Sequence, residues 1–433
     1  MKIIMSFLLV GLMISLCFSG IIVSSKSIVS LNGKKIYVGG TGPGNYSSIQ
    51  EAIDDAKNGD TVFVFEDSSP YYENININKQ INLIGKNNET TYIIGKGNPS
   101  TVTIRANDVL LKGFNIKGGS GQISEIYIHN GENIVISENI IKDEFGGINI
   151  DYSYSNIEIS YNTIETSYYG ICFLSTKEHH KNTKIIGNNI SSKGWACIAL
   201  QCNEYAIVSN NILNGKGSNS VGILISEGFY ADSRGNTISH NTIINNKMGI
   251  NILTYNNLIA KNLIRNNKQG ITLRHLGGFN TITKNEITDN VNEGIISYGS
   301  TGEVITKNKI ERNNIGISLT YDDYFDITSA LIKVYQNNFI DNNQNAYDYE
   351  ENILNVWYHG TNGNYWDDYD GSDILPPQGK GDIPYKIPDG ESKDLFPLME
   401  PYTSKSKPKQ LSPFSFLERI IDQFPFLSQL FTL

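Results

Sequence analysis

Residues 282–290 read ITKNEITDN, and residues 305–313 read ITKNKIERN. Self-similarity at a fixed spacing sets architecture before any single residue can be interpreted. Written as apolar-x-x-Asn-x-apolar, the pattern recurs nine times, centred on Asn139, Asn162, Asn188, Asn210, Asn241, Asn262, Asn285, Asn308 and Asn337, one copy every 21 to 31 residues. A second motif follows most copies: GINI at Gly147, GICF at Gly170, GILI at Gly222, GINI at Gly249, GITL at Gly270, GIIS at Gly294 and GISL at Gly316. These segments are short, alternating and β-branched, which marks strands and excludes helices. A unit of two or three such strands cannot bury its apolar face alone, so it must stack on its neighbours. In-register stacking at about 4.8 Å per coil puts isoleucine over isoleucine and asparagine over asparagine. The expected fold is all-β, a parallel β-helix solenoid. Asparagine suits the corners because it tolerates a left-handed bend and can bond the amide one coil away.

The flanks differ from the repeats. In YSSIQEAIDDAKNGDTVFV, Ser48 and Glu51 form a capping box, and Ile49, Ala52, Ile53 and Ala56 share one helical face. An amphipathic helix there would shield the first coil from edge pairing. The expected organisation is a leader at 1–25, an N-terminal cap and first coils at 36–80, repeats at 81–358, a closing module at 359–402, a linker at 403–413 and an amphipathic tail at 414–433. The apolar run in MKIIMSFLLVGLMISLCFSG reads as a secretory signal, an uncleaved anchor being the rival. The tail is too short, too charged and too broken by Pro425 to span a membrane, and reads as docking on the solenoid end, a partner or a membrane surface.

The formal charge of −9 argues against nucleic acid, which needs a basic stripe, and against polyanionic sugars unless a cation bridges them. Cys172, Cys197 and Cys202 lack metal-like spacing and read as packed thiols. Asn45, Asn88 and Asn189 open the sequons NYS, NET and NIS, glycan acceptors consistent with an exterior location.

The run SIQEAIDDAKNGDTVFV, then YYENI and INLIG, followed by the Asn and Gly-Ile repeats, resembles the pectate-lyase-like right-handed β-helix superfamily, which implies that the parallel β-helix solenoid is right-handed. Within it, the chain is similar to secreted proteins of the NosD-like, carbohydrate-binding and sugar-hydrolase (CASH) type. The segment from Gly363 to Tyr402 resembles the closing module of those proteins. There an acidic run often lies between the NYW and DxPY motifs, and ILPPQGK replaces most of it here, leaving Asp373 and Asp382 as candidate oxygen ligands for Ca2+. The resemblance also implies copper handling as an alternative, but soft donors are sparse: Met248, Met399 and three cysteines.

The outward position of the Gly-Ile strands gives Asn149, Cys172, Leu224, Asn251, Thr272, Ile296 and Ser318, a column without the paired acids of glycoside hydrolysis. The loops just after those strands supply Asp151, Tyr152, Glu227, Tyr230, Tyr255 and Tyr321 as candidate sugar contacts, with His179 and His180 nearby. Arg274, His275, Tyr298, Asp322 and Asp323 fall on three consecutive coils and form the candidate catalytic set. His275 or Tyr298 would abstract a proton while Arg274 steadies a carboxylate, as in a lyase, or Asp322 or Asp323 would act in hydrolysis. The sequence leaves enzyme and glycan-binding protein both open, with polysaccharide or surface glycan as the expected partner.

Overall fold

The computed structural model describes residues 33–97, 100–119, 124–142, 144–152, 155–174, 178–228, 232–349, 355–376, 378–388 and 390–403. The leader, the 414–433 tail, nearly all of the linker and Tyr230 lie outside the described residues. The described residues up to Asn257 form one compact unit and those from Leu258 a second.

Each unit is a parallel β-solenoid. In the first, one coil runs through Ile134–Ser137, Ile140–Lys142 and Gly146–Asp151, and these strands contribute in turn to a first, second and third sheet. The next coil pairs with it in parallel register: Ile134 opposite Ile157, Ile141 opposite Ile164, and Ile148 opposite Ile171. The second unit repeats the arrangement, with Ile282 opposite Ile305, Ile287 opposite Ile310 and Ile295 opposite Ile317. All these isoleucines are buried, so the period-2 alternation within strands and the coil period together build a continuous apolar stack.

The corner between first and second strands carries the asparagine ladder. Each Oδ1 accepts the backbone N–H of the previous coil's asparagine at 2.8–3.1 Å: in the first unit Asn162 accepts from Asn139, Asn188 from Asn162, Asn211 from Asn188 and Asn241 from Asn211. In the second unit the series runs Asn262, Asn285, Asn308, Asn337 and Asn364. Two expectations are corrected here. The fourth ladder member is Asn211, not Asn210, because in IVSNNI both asparagines fit the sequence pattern and only the buried one reaches its neighbour. The left-handed bend also falls one residue earlier than expected, at Glu138, Tyr161, Gly187, Asn210, Lys261, Lys284 and Lys307, leaving the ladder asparagine free to point inward. Its amide satisfies groups that a bend would otherwise bury unpaired. A second ladder joins Asn267, Asn290, Asn313 and Asn342 at the next corner.

Carboxylates replace asparagine at two points of the second unit. Asp394 accepts the Asn364 N–H at 2.6 Å and the Trp366 indole N–H at 3.0 Å. Glu303 accepts the Asn280 N–H at 2.6 Å, the Asn280 amide at 3.1 Å and the Ser300 hydroxyl at 3.0 Å. Both acids are buried, and burial pushes Glu303 up to about 7 and Asp394 up to about 6.

Before the repeats, helix α1 (Ile49–Asp55) packs Ile49, Ala52 and Ile53 against strands Lys35–Val38, Thr61–Val64 and Ile75–Ile77. Ser48 Oγ accepts the Glu51 N–H, but the main carboxylate at this N-terminus is Glu73 from the following coil, bonded by Ile49 N, Gln50 N and Ser48 Oγ at 2.7–2.9 Å. A carboxylate there complements the unpaired N–H groups of the first turn. Toward the other end, Phe339, Trp366 and Tyr385 stack face to face, with ring centroids 4.2 and 4.1 Å apart.

Candidate functional site

The expected sites sit at the C-terminal ends of third-sheet strands. Asp151 closes Gly146–Asp151, Arg274 closes Gln269–Arg274 and Tyr298 closes Glu293–Tyr298, while Tyr321 and Asp322 belong to Ile315–Asp322. These positions are strand residues, not loop residues as the sequence suggested, because inter-coil pairing continues through them: Arg274 lies opposite Tyr298, and Tyr298 opposite Thr320. Pairing on rigid strands fixes their direction more tightly than a loop would.

In the second unit, four of the five candidate catalytic residues form two contacts. The Arg274 guanidinium lies over the Tyr298 ring, 4.7 Å from its centroid. His275 Nδ1 lies 3.1 Å from Asp322 Oδ2, across two coils. The other Asp322 oxygen accepts the Tyr324 and Phe325 N–H groups at 3.1 and 3.3 Å, which holds it in place. Phe325 stacks on the imidazole at 3.6 Å, leaving 9% of the His275 side chain exposed. His275 Nε2 is buried and has no hydrogen-bond partner among the described residues. Asp323 is exposed beside the pair and shares no bond with it. The hairpin that carries Phe325 arises because Ile315–Asp322 continues beyond the sheet and pairs antiparallel with Ile327–Thr328. Its tip presents Tyr324, 86% exposed. Gln269 donates to the Tyr298 hydroxyl at 3.2 Å and to Glu293 at 2.9 Å, fixing the ring edge. Tyr321 stacks on Tyr349 and donates to Asp326, whose carboxylate pushes the phenol up to about 12.

In the first unit, Asp151 and Tyr152 lie together with two residues that the sequence reading missed. The Tyr127 hydroxyl is 3.1 Å from both Asp151 Oδ2 and His129 Nδ1, and His129 meets the Tyr152 ring edge-on at 5.5 Å. Burial, then the Asp151 charge, pushes Tyr127 up to about 12, so the phenol stays protonated and donates. Tyr127 and His129 were findable: EIYIHN alternates like a third strand, and His129 precedes Asp151 by one coil. Their strand lacks the Gly-Ile opening of the later copies.

The remaining candidates are dispersed. Glu227 follows Val221–Ser226 and is half-buried. Tyr255 donates to Asp232 at 2.9 Å at a different corner, near the Arg234–Glu204 pair. His180 is buried inside strand His180–Lys181, its Nε2 3.1 Å from the Leu174 carbonyl, so it belongs to the framework. The outward column is also unlike the open face expected: Cys172, Leu224, Asn251, Thr272, Ile296 and Ser318 all face away from the coil interior yet are buried. Around Cys172 and Leu224 the cover is apolar, from Tyr169, Phe145, Leu174, Trp195, Met248 and Leu253. Side chains of adjacent coils stand too close to leave that column wet.

Asp382 accepts the N–H groups of Ile374 and Leu375, and Asp373 accepts that of Gly379 at 2.7 Å. Both acids thus staple the turn between them. Among the described residues no group of three or more His, Cys, Asp or Glu is placed to hold a metal ion.

The NosD family, described as periplasmic copper-binding protein, matches residues 53–254 and 227–371, well over half of the sequence. The chain belongs to the NosD family. It is also 34% identical over 139 residues to a cell surface glycoprotein of Methanothermus fervidus, a match covering 32% of this chain and 21% of that protein. The matched region is thus about a fifth of the relative's length. Among solved structures, the A-modules of the Azotobacter vinelandii mannuronan C-5 epimerases AlgE6 and AlgE4 superpose with TM-scores of 0.58, at 13% and 15% identity, covering 72% and 75% of this chain and 93% and 100% of theirs. Dettilon tailspike protein superposes at 0.50 with 15% identity, covering 78% of this chain and 66% of that one. Identities this low show the solenoid fold alone.

Proposed function

We propose that this NosD-family chain is a cell-surface β-solenoid that binds a polysaccharide at the third-sheet margin of its second unit. The observation that carries the reading is the margin itself: Arg274 lies over Tyr298 on consecutive strand ends about 5 Å apart, and the hairpin that seals the His275–Asp322 pair presents Tyr324 to solvent, so a cation and aromatic rings stand along one margin. Pyranose rings stack on such aromatic faces while charged and amide groups bond their hydroxyls. The surface location draws support from the cell surface glycoprotein relative, and the secretory leader and docking tail are part of this proposal. So is end closure by α1 and by the segment around Trp366, Tyr385 and Asp394. The net charge of −9 favours a neutral chain over a polyanion.

The buried, unpartnered His275 Nε2 supports a second reading, catalysis. With Nδ1–H directed to Asp322, Nε2 would carry a lone pair suited to a general base, and the Phe325 hairpin that covers it would have to lift for a substrate to reach it. Copper, which the family description names, fits the described residues poorly. Cys172, Cys197 and Cys202 are buried, and among the described residues no three His, Cys, Asp or Glu come together to hold an ion, so no step of the reading runs through it.

Affinity electrophoresis through gels cast with dextran, mannan, xylan, alginate or polygalacturonate tests the binding reading. Retardation in a neutral polysaccharide, weakened by Tyr298→Ala and Arg274→Ala, supports it; free migration in every gel overturns it. Release of reducing ends or unsaturated uronate by the wild type, lost in His275→Ala and Asp322→Asn with retardation intact, supports catalysis.

A further inference from the structure

The three sequons share a sequence pattern but differ in structure. Asn45 is half-buried, and its amide donates to the Gly39 carbonyl at 2.6 Å and lies against Gly42. Asn88 is half-buried, and its amide donates to the Glu138 carbonyl at 2.8 Å, while the Thr90 hydroxyl of the same sequon is bonded to Glu66. Asn189 is exposed, and its side-chain amide makes no hydrogen bond among the described residues. It opens strand Asn189–Ser192, where Ile190 points into the core and Asn189 and Ser191 stand on the outer face of the second sheet. Ser191 also has no side-chain hydrogen bond among the described residues, so neither polar group of this sequon needs to be released for modification.

The neighbours in register give an independent indication. Asn189 lies between Thr163 of the coil before and Ile212 of the coil after. Ile212 is 48% exposed, an apolar side chain in register between Asn189 and Thr242 on the outer face of the second sheet. The apolar face of a first sugar attached to Asn189 would cover it, since adjacent coils are only about 4.8 Å apart.

We propose that Asn189 carries an N-linked glycan and that Asn45 and Asn88 do not. The co-reactant is a polyprenol-phosphate-linked or polyprenol-diphosphate-linked oligosaccharide. The Asn189 Nδ2 forms a bond to the anomeric carbon, the bond from that carbon to the phosphate oxygen breaks, an amide proton passes to a base of the transferring enzyme, and the polyprenol phosphate or diphosphate leaves. No oxidant or reductant is required. The inference depends on the surface location proposed above and is independent of glycan binding at the Arg274–Tyr298 margin.

The test is intact-mass and glycopeptide mass spectrometry of the full chain, carrying an appended C-terminal sequon tag and made in a host that N-glycosylates its surface proteins. Expected is a glycan on the Asn189 peptide that disappears in Asn189→Gln and in Ser191→Ala and persists in Asn45→Gln and Asn88→Gln. The serine variant leaves the acceptor asparagine in place, so loss there reports recognition and not folding. A bare Asn189 beside an occupied tag overturns the site while leaving the surface location standing. Glycan confined to Asn45 or Asn88 overturns it equally. A chain bare at both tag and Asn189 overturns the surface location together with this inference.

Discussion

Replacing Glu303 with glutamine should stabilise the second unit at neutral pH and leave it nearly unchanged in acid. The carboxyl is buried among Asn280, Ser300 and the neighbouring coil, and burial raises it from 4.5 to about 7. The folded state therefore holds a proton that the unfolded chain releases above 4.5. Stability is greatest below that value and falls as pH rises through the window to about 7, beyond which the contribution is constant. A shift of roughly 2.5 units at about 1.4 kcal/mol each makes the loss about 3 kcal/mol. Glutamine keeps the shape without the charge: its Oε1 can take the place of the oxygen that accepts the Asn280 N–H, and its Nε2, in place of the other oxygen, can donate to the Ser300 hydroxyl. Urea unfolding followed by Trp357 and Trp366 fluorescence, in a Trp195→Phe background so that only the second unit reports, reads the effect. The two chains should have similar midpoints at pH 4.5, and the variant should be more stable by about 3 kcal/mol at pH 8. Asp394, raised to about 6 from 3.8, has the same sign and should leave a residual decline between about pH 4 and 6 in both chains. Parallel pH profiles up to pH 8 would refute the assignment of the upper window to Glu303.

Three other outcomes follow from the geometry. Asn285→Ala should destabilise the second unit by about 3 kcal/mol or more in the same assay, since it strips the Asn262 N–H and amide and the Ile259 carbonyl of their buried partner. Ile271→Asp should unfold or fray the coil in circular dichroism, because this fully buried side chain would become a lone interior charge. Cys172, Cys197 and Cys202 should resist an aromatic disulfide reagent in the native state and react on unfolding, burial having pushed the Cys172 and Cys197 thiols up to about 12.

The coil period and the inward isoleucines were legible because every copy repeats the same choice under the same steric constraint. Ile271, Ile295 and Ile317 sit where the alternation puts them. The ladder register failed at one copy, where adjacent Asn210 and Asn211 fit one pattern and only burial separates them. Strand ends were read too short because polar Arg274 and Tyr298 look like loop residues, although their backbones keep pairing. That His275 and Asp322 fall on nearby coils was expected from stacking, but their direct contact and the Phe325 cover were not, since the cover depends on a hairpin that departs from the repeat. Tyr127 and His129 escaped because their coil lacks the Gly-Ile mark. Glu303 and Asp394 escaped for a different reason: an acid standing in for asparagine is visible only when its distant partners are in place.

The most direct test of the account is migration of the full chain and its Tyr298→Ala variant in gels with and without a neutral polysaccharide such as mannan, dextran or xylan. The account predicts that at least one of these retards the wild type and that the variant, with unchanged circular dichroism, is retarded less. Equal migration of both proteins in every gel would contradict it.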